Sequence, residues 1–162
     1  MSKWPLLPIL FFGMLLGFFT GPVKAESVDE VLCLAENIYF EARSESTAGR
    51  IAVALVTLNR VEHPNFPDTV CGVVKQTKYY PSGRIDLHSC QFSWYCDGKS
   101  DEITEDCFDD ILLLASVMLG WESTDVTDGA LWYHSKKVKP KWASHYVQTV
   151  SIDNHIFYKP LD

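Results

Sequence analysis

The strongest helical pattern in this chain is VLCLAENIYFEAR, residues 31–43. At about 100° per residue its apolar side chains gather on one side, while Glu36 and Arg43 project from the other. Glu41 falls at the border of the apolar stripe, roughly one turn from the expected end of the helix. A carboxyl group there is partly desolvated and can still face a cleft, which raises its pKa. Glu41 is therefore a candidate general acid, although a carboxyl at a helix border is more often solvated or paired with arginine.

The first 25 residues read as a signal peptide. Lys3 supplies a positive n-region, residues 6–19 a Gly-interrupted apolar h-region, and VKA at residues 23–25 a small-residue cleavage site. We expect cleavage after Ala25, a periplasmic or secreted protein, and no stable membrane insertion after cleavage; an uncleaved membrane anchor is the alternative. Residues 26–162 then form a single domain, because 137 residues suit one hydrophobic core.

Composition and motifs disfavour several function classes. Without the signal peptide the chain has 12 basic and 21 acidic residues, a net charge of −9, which disfavours nucleic acid and anionic membranes as main partners. None of the five histidines lies at H-E-x-x-H spacing, and no G-x-S-x-G elbow is present. We therefore expect neither a catalytic metal nor a cofactor, and chemistry by a carboxylic acid remains the leading possibility.

Five cysteines lie in the predicted exported part. An oxidising compartment makes disulfides the expected state, and the odd number leaves at least one cysteine outside intramolecular bridges. Cys90 and Cys96 flank a short loop and Cys71 is the third candidate, whereas Cys33 and Cys107 suit ordinary buried positions in helices. The pairing does not follow from the sequence.

The remaining patterns predict a mainly helical α+β domain with a small antiparallel sheet near the C-terminus. Predicted helices cover residues 31–43, 48–61 and 105–119, with a short one opened by Pro67-Asp68; strands cover 130–134, 146–152 and 155–158, with Asp153-Asn154 as a turn. A polar and aromatic loop region spans residues 77–98.

Aromatic residues outside the long helices favour a sugar substrate, because a ring face can stack on a pyranose while polar groups bind its hydroxyls. For any single ring, packing in the core is the more common role. The candidate substrate-binding residues are Gln91, Phe92, Ser93, Trp94, Tyr133, His134 and Trp142.

Five blocks in order resemble the SleB-type cell wall hydrolases: CLAENIYFEAR (33–43), AVA with LNRV (52–54 and 58–61), FPDTVCGVV (66–74), CQFSW (90–94) and HIFY (155–158). The resemblance implies a lysozyme-like fold. It also implies cleavage of peptidoglycan glycan strands between N-acetylmuramic acid and N-acetylglucosamine, in the manner of a lytic transglycosylase. The catalytic glutamate of the family falls on Glu41, and Ser44 stands where the family usually has glycine.

Glu45 is the rival acid, since it resembles the second glutamate of the family block; we expect a supporting or structural role for it. A hydrolase needs a second carboxylate, but Asp86, Asp97 and Asp128 lie in loop or turn stretches where aspartate is common for backbone reasons. We therefore expect 1,6-anhydro products, from a protein that acts as a monomer. The alternatives are a non-catalytic peptidoglycan-binding or inhibitor module and a zinc-dependent cell wall amidase.

Overall fold

The computed structural model describes residues 27–104, 106–120 and 124–161, so the predicted signal peptide and its cleavage site lie outside the described residues. The elements are α1 (Val28–Ala42), α2 (Thr47–Glu62), α3 (Val70–Val74), a 3₁₀ helix (Ser93–Cys96), α4 (Phe108–Gly120), β1 (Trp132–Ser135), a second 3₁₀ helix (Lys141–His145), β2 (Val147–Ile152) and β3 (His155–Lys159). The predicted mainly helical α+β class, with a small sheet near the C-terminus, is confirmed. None of the helices in this part of the chain is long and apolar enough to cross a membrane.

Side-chain caps set the starts of three helices. Ser27, Ser46 and Thr69 each accept a hydrogen bond from a backbone N–H three residues later, which satisfies one of the free donors of the first turn. Ser46 is therefore the cap of α2. Helix α4 begins at Phe108, three residues later than the sequence pattern predicts.

Helix α1 lies at the centre of the core and packs against α2, α3 and α4. Its side chains Leu34 and Ile38 are fully buried, as is Val53 of α2. Burying an aliphatic side chain of this size contributes about 1.5 to 3 kcal/mol each, so this packing fixes where the end of α1 lies. Helix α2 is buried around most of its circumference.

The sheet has the strand order β1-β3-β2 and is antiparallel throughout. Because paired residues share a face and neighbours alternate, Tyr133 and its partner Phe157 point to one side, while Trp132 and its partner Tyr158 point to the other. The first side, called here the inner face, packs through Phe157 against Ala52 and Val56 of α2. We call the second side the outer face.

Two disulfides join the loops to the helices. Cys33 of α1 is bonded to Cys71 of α3, and Cys90 is bonded to Cys96 across the short loop. The three predicted candidates are thus all bridged, but the interpretation of Cys33 as an ordinary buried residue is wrong, because α1 and α3 pack closely enough to join it to Cys71. Cys107 takes part in neither bridge.

Candidate active site

Glu41 lies in the last turn of α1, next to the core residue Ala42. Its side chain is partly buried, since it stands at the edge of the stripe that packs against the other helices. The helix ends there, with the Arg43 N–H bonded to the Tyr39 carbonyl oxygen at 3.2 Å. The carboxyl group is therefore fixed by a rigid element and faces the open side of the helix end.

Tyr133 comes to Glu41 from the inner face of the sheet. Its hydroxyl donates a hydrogen bond to Glu41 Oε2 at 3.0 Å. The ring is held in place by His155 and Phe157, with ring centroids at 5.2 and 5.6 Å. Strand β1 therefore contributes one polar group that is aimed at the carboxyl of Glu41.

Arg60 brings a buried positive charge to the same region. It is 4% exposed, and its Nε donates to the Leu131 carbonyl oxygen at 2.8 Å. The guanidinium lies over the rings of Phe66 and Phe92, at 5.4 and 5.1 Å from their centroids. Within the described residues its buried Nη1 makes no hydrogen bond, so the charge of Arg60 is only partly compensated.

These neighbours set the protonation of Glu41. Burial raises the pKa of the Glu41 carboxyl, and it outweighs the hydrogen bond from Tyr133 and the charge of Arg60, which both act in the opposite direction. Burial, together with the neighbouring Glu41, also raises the pKa of Tyr133, so its hydroxyl stays a proton donor. The arrangement suits an acid that holds its proton to higher pH than an exposed glutamate does and gains two stabilising partners once the proton leaves.

A cleft of about 480 Å³ opens at Glu41. One wall is the end of α1, and the other is the segment from Ser93 to Thr104. The lining residues are Tyr39, Phe40, Glu41, Arg43, Ser93, Trp94, Asp97, Lys99, Ser100, Asp101, Glu102 and Thr104. Its volume is in the range of pockets that bind small ligands.

Trp94 is locked in the wall of this cleft. Its ring stacks on Phe40 with centroids 4.5 Å apart, and its Nε1 donates to Asn37 Oδ1 at 3.1 Å. Asn37 in turn donates to the Thr57 hydroxyl, which completes a buried polar chain between α1, α2 and the 3₁₀ helix. Trp94 therefore presents little more than an edge to the cleft.

Three carboxylates share the cleft with Glu41, namely Asp97, Asp101 and Glu102. Asp97 accepts a hydrogen bond from the Lys99 N–H at 2.9 Å and forms an ion pair with the Lys99 ammonium at 3.0 Å. Hydrogen bonds from the Lys99 backbone and side chain lower the pKa of Asp97, so it is ionised where Glu41 holds its proton.

Asp86 and Asp128, the other two aspartates considered as a second carboxylate, make their contacts outside the cleft. Asp86 accepts a hydrogen bond from the His88 N–H within its own loop. Asp128 forms an ion pair with Lys159 at 2.8 Å. Neither belongs to the lining of the cleft.

The structure places the predicted substrate-binding residues in different parts of the molecule, and only some of them are near Glu41. Ser93 and Trp94 line the cleft, and Tyr133 contacts Glu41. Gln91 is exposed and is not among the lining residues. Phe92 is 3% exposed and lies beneath Arg60, so the prediction that it binds substrate is wrong: its ring belongs to the core.

His134 and Trp142 lie on the outer face of the sheet, opposite Tyr133. The His134 ring stacks on Tyr158, and its Nε2 lies 3.0 Å from the Tyr158 hydroxyl. Trp142 packs edge-on against both rings. The structure thus does not bring His134 and Trp142 into the cleft with Glu41, because β1 turns alternate side chains to opposite faces.

The side chain of Glu45 has a structural role in the fold. Helix α1 ends before it, so Glu45 does not continue the helical face of Glu41. Its carboxylate accepts hydrogen bonds from the backbone N–H of Asn154 at 3.2 Å and from the Asn154 side-chain amide at 3.0 Å. These contacts tie the start of α2 to the turn between β2 and β3.

Sequence reasoning missed Arg60, Asp101 and Glu102. A signal for Arg60 was present, because a positive residue inside an apolar helix must find a partner when that helix is buried. The 97–104 segment has no periodic pattern that would place its acids beside Glu41. No group of three or more metal-binding side chains is found across the described ranges.

This fold is that of a known class of catalytic domains. The structure matches the catalytic domain of the germination-specific lytic transglycosylase SleB from Bacillus anthracis with a TM-score of 0.62 and 30% identity, covering 84% of this chain and 98% of that domain. The catalytic domain of SleB from Bacillus cereus gives a TM-score of 0.59 at 30% identity, covering 88% of this chain and 99% of that one.

The chain belongs to the cell wall hydrolase family, whose model matches residues 44–158. The spore cortex-lytic enzyme of Bacillus cereus is 31% identical over 141 residues, which are 86% of this chain and 48% of the relative. That of Oceanobacillus iheyensis is 31% identical over 137 residues, 82% of this chain and 42% of the relative. The chain thus spans about half the length of these relatives, and the predicted family is confirmed.

Proposed function

We propose that this protein cleaves peptidoglycan glycan strands between N-acetylmuramic acid and N-acetylglucosamine as a lytic transglycosylase, with Glu41 as its catalytic acid. The observation that carries the proposal is the carboxyl of Glu41, which is partly buried, raised in pKa, bonded to Tyr133 and open to a cleft. The likeness to a domain described as a lytic transglycosylase supports the same activity.

In the first step, Glu41 gives its proton to the glycosidic oxygen as the bond from that oxygen to the anomeric carbon breaks. The carboxylate that forms receives a charge-assisted hydrogen bond from Tyr133 and the field of Arg60. Both interactions strengthen as negative charge develops, so they stabilise the transition state more than the ground state.

In the second step, the Glu41 carboxylate takes the proton of the 6-hydroxyl of the same muramic acid residue. The hydroxyl oxygen then bonds to the anomeric carbon and closes a 1,6-anhydro ring, which regenerates the acid form of Glu41. No water is consumed, and one carboxyl group serves both steps.

The substrate also defines where the protein acts. We propose that residues 1–25 are a signal peptide cleaved after Ala25, and that the mature domain works as a monomer on the cell wall in the periplasm or outside the cell.

Ser93 is the cleft residue whose hydroxyl is best suited to hydrogen-bond a sugar, because it is exposed beside Trp94.

The first test compares Glu41→Gln with Glu36→Gln. Both remove one acid from α1, but Glu36 is not among the residues that line the cleft. Clearing of purified cell walls should fall by about a hundred- to ten-thousandfold for Glu41→Gln and stay unchanged for Glu36→Gln. If the wild-type protein binds cell walls without clearing them, it is a peptidoglycan-binding module and not an enzyme. If chelators abolish the clearing, the protein is a zinc-dependent cell wall amidase.

The second test is the mass of the released products. A lytic transglycosylase gives fragments about 20 mass units lighter than borohydride-reduced hydrolysis products, since water is not added and no reducible end forms. Asp97→Asn should then retain activity. Reducible products labelled from solvent water would instead identify a hydrolase, with the second carboxylate among Asp97, Asp101 and Glu102.

A further inference from the structure

A lysine-rich segment follows strand β1 and lies next to the turn between β2 and β3. The sequence KKVKPK, residues 136–141, places four lysines within six residues, although the whole chain has a net charge of −7. All four lysine side chains are exposed. The segment is therefore a local concentration of positive charge on an acidic protein.

Three of these lysines have no internal partner. Lys136 donates to the Asp153 carbonyl oxygen at 2.5 Å. In contrast, Lys137, Lys139 and Lys141 make no side-chain hydrogen bond or ion pair with any described residue. Their charges remain available to a ligand.

The segment is held in a fixed position. The Lys136 N–H bonds to the Asn154 carbonyl oxygen at 2.7 Å, and the Val138 N–H bonds to the Ser135 carbonyl oxygen at 3.0 Å. At the other end Trp142 packs on the outer face of the sheet. Because the backbone is already ordered, a ligand would immobilise only the lysine side chains.

Its place follows from β1. Tyr133 faces Glu41, and the lysines begin three residues later, in the turn after β1, where the Lys136 N–H bonds to Asn154, the partner of Glu45. A polymer that occupies the cleft therefore needs to extend only a few sugar or peptide units to reach them.

We propose that Lys137, Lys139 and Lys141 form a second substrate-binding site for the carboxylate-bearing peptide stems of peptidoglycan. The inference rests on the proposed function, since it takes peptidoglycan as the substrate. An acidic protein and an anionic polymer repel each other over most of their surfaces, and a fixed basic patch reverses that repulsion locally and orients the encounter. The site raises affinity for peptide-substituted strands without taking part in bond cleavage.

The test measures sedimentation of the protein with insoluble peptidoglycan in the Glu41→Gln background, which prevents digestion. The test variant carries Lys137→Gln, Lys139→Gln and Lys141→Gln, and the matched control carries Lys75→Gln, Lys78→Gln and Arg84→Gln. All six positions are exposed, and the two variants lose the same charge. A third variant with arginine at the three test positions keeps the charge.

The dissociation constant of the test variant should rise about three- to a hundredfold at low salt, the range expected for three exposed charge pairs. The control and arginine variants should bind like the parent protein, and high salt should remove the difference. On glycan strands stripped of their peptides, which keep only the lactyl carboxylate of each muramic acid, the difference between the variants should become smaller. Equal weakening by the control variant, or an undiminished loss on stripped glycan, would overturn the proposal.

Two further measurements separate this proposal from its rivals. Binding of the parent protein to DNA or to anionic vesicles more tightly than to peptidoglycan, with loss in the lysine variant, would assign the patch to another partner and refute the proposal. With Glu41 restored, the control variant should clear cell walls at the wild-type rate, whereas the lysine variant should need more substrate to reach half of its maximal rate. Absence of cleavage by the wild-type protein would refute the proposed function but leave the binding comparison intact.

Discussion

Tyr133→Phe tests how the site controls its acid. The change removes only the hydroxyl that donates to Glu41 Oε2 at 3.0 Å. This bond favours the ionised carboxylate and lowers the pKa of Glu41, so its loss should keep Glu41 protonated to higher pH. A hydrogen bond to a charged group contributes about 1.5 to 3 kcal/mol, which corresponds to a displacement of the basic limb of the activity profile by about one to two pH units.

The assay is the pH dependence of kcat/KM on a soluble peptidoglycan fragment, measured beside Tyr158→Phe. Tyr158 also lies in the sheet, and its hydroxyl is 3.0 Å from His134 Nε2, but on the outer face. The basic limb should move for Tyr133→Phe and stay in place for Tyr158→Phe. An unmoved limb in both variants would refute the reasoning, as would a shift of the acidic limb alone, because Glu41 would then act in its ionised form.

Three further outcomes concern stability. The pKa of Glu41 is higher in the folded protein than in the unfolded chain, so ionisation of Glu41 destabilises the fold once the pH exceeds the pKa of the unfolded-state glutamate. Glu41→Gln should therefore raise the melting temperature at about pH 8 and leave it unchanged at about pH 4. Glu45→Gln weakens the contacts to Asn154 and should cost about 1 kcal/mol in urea denaturation while kcat is retained. Replacing both cysteines of the Cys33–Cys71 bridge by serine should cost about 4 kcal/mol, against about 2 kcal/mol for the Cys90–Cys96 bridge, because the bridged residues are 38 and 6 positions apart.

The helices and strands could be predicted because their signals are local. The apolar stripe of residues 31–43 and the turn at Asp153-Asn154 depend on neighbours a few positions away, and the structure places both as expected. The start of α4 was misplaced, since acidic residues near a helix start are favourable both inside the first turn and just before it.

The site was predictable only in part, because its partners meet through tertiary packing. The position of Glu41 at the stripe border follows from helical geometry, whereas the Cys33–Cys71 bridge requires that α1 and α3 lie side by side. Tyr133 and His134 lie on opposite faces of the sheet because side chains alternate along a strand, and the strand register decides which of the two faces Glu41. Phe92 and Trp94 are both aromatic loop residues in sequence, and only the packing around Arg60 and Asn37 distinguishes their roles.

The hydrogen bond between Tyr133 and Glu41 joins positions 92 residues apart. A ribosome-bound or truncated chain that stops before β1 carries the acid but lacks the group that steadies its charged form. Strand β1 itself is held to the domain through β3, which ends only at Lys159. The chemistry of helix α1 therefore depends on strand β3 being made and paired, so a chain that stops before β3 should lack enzymatic activity.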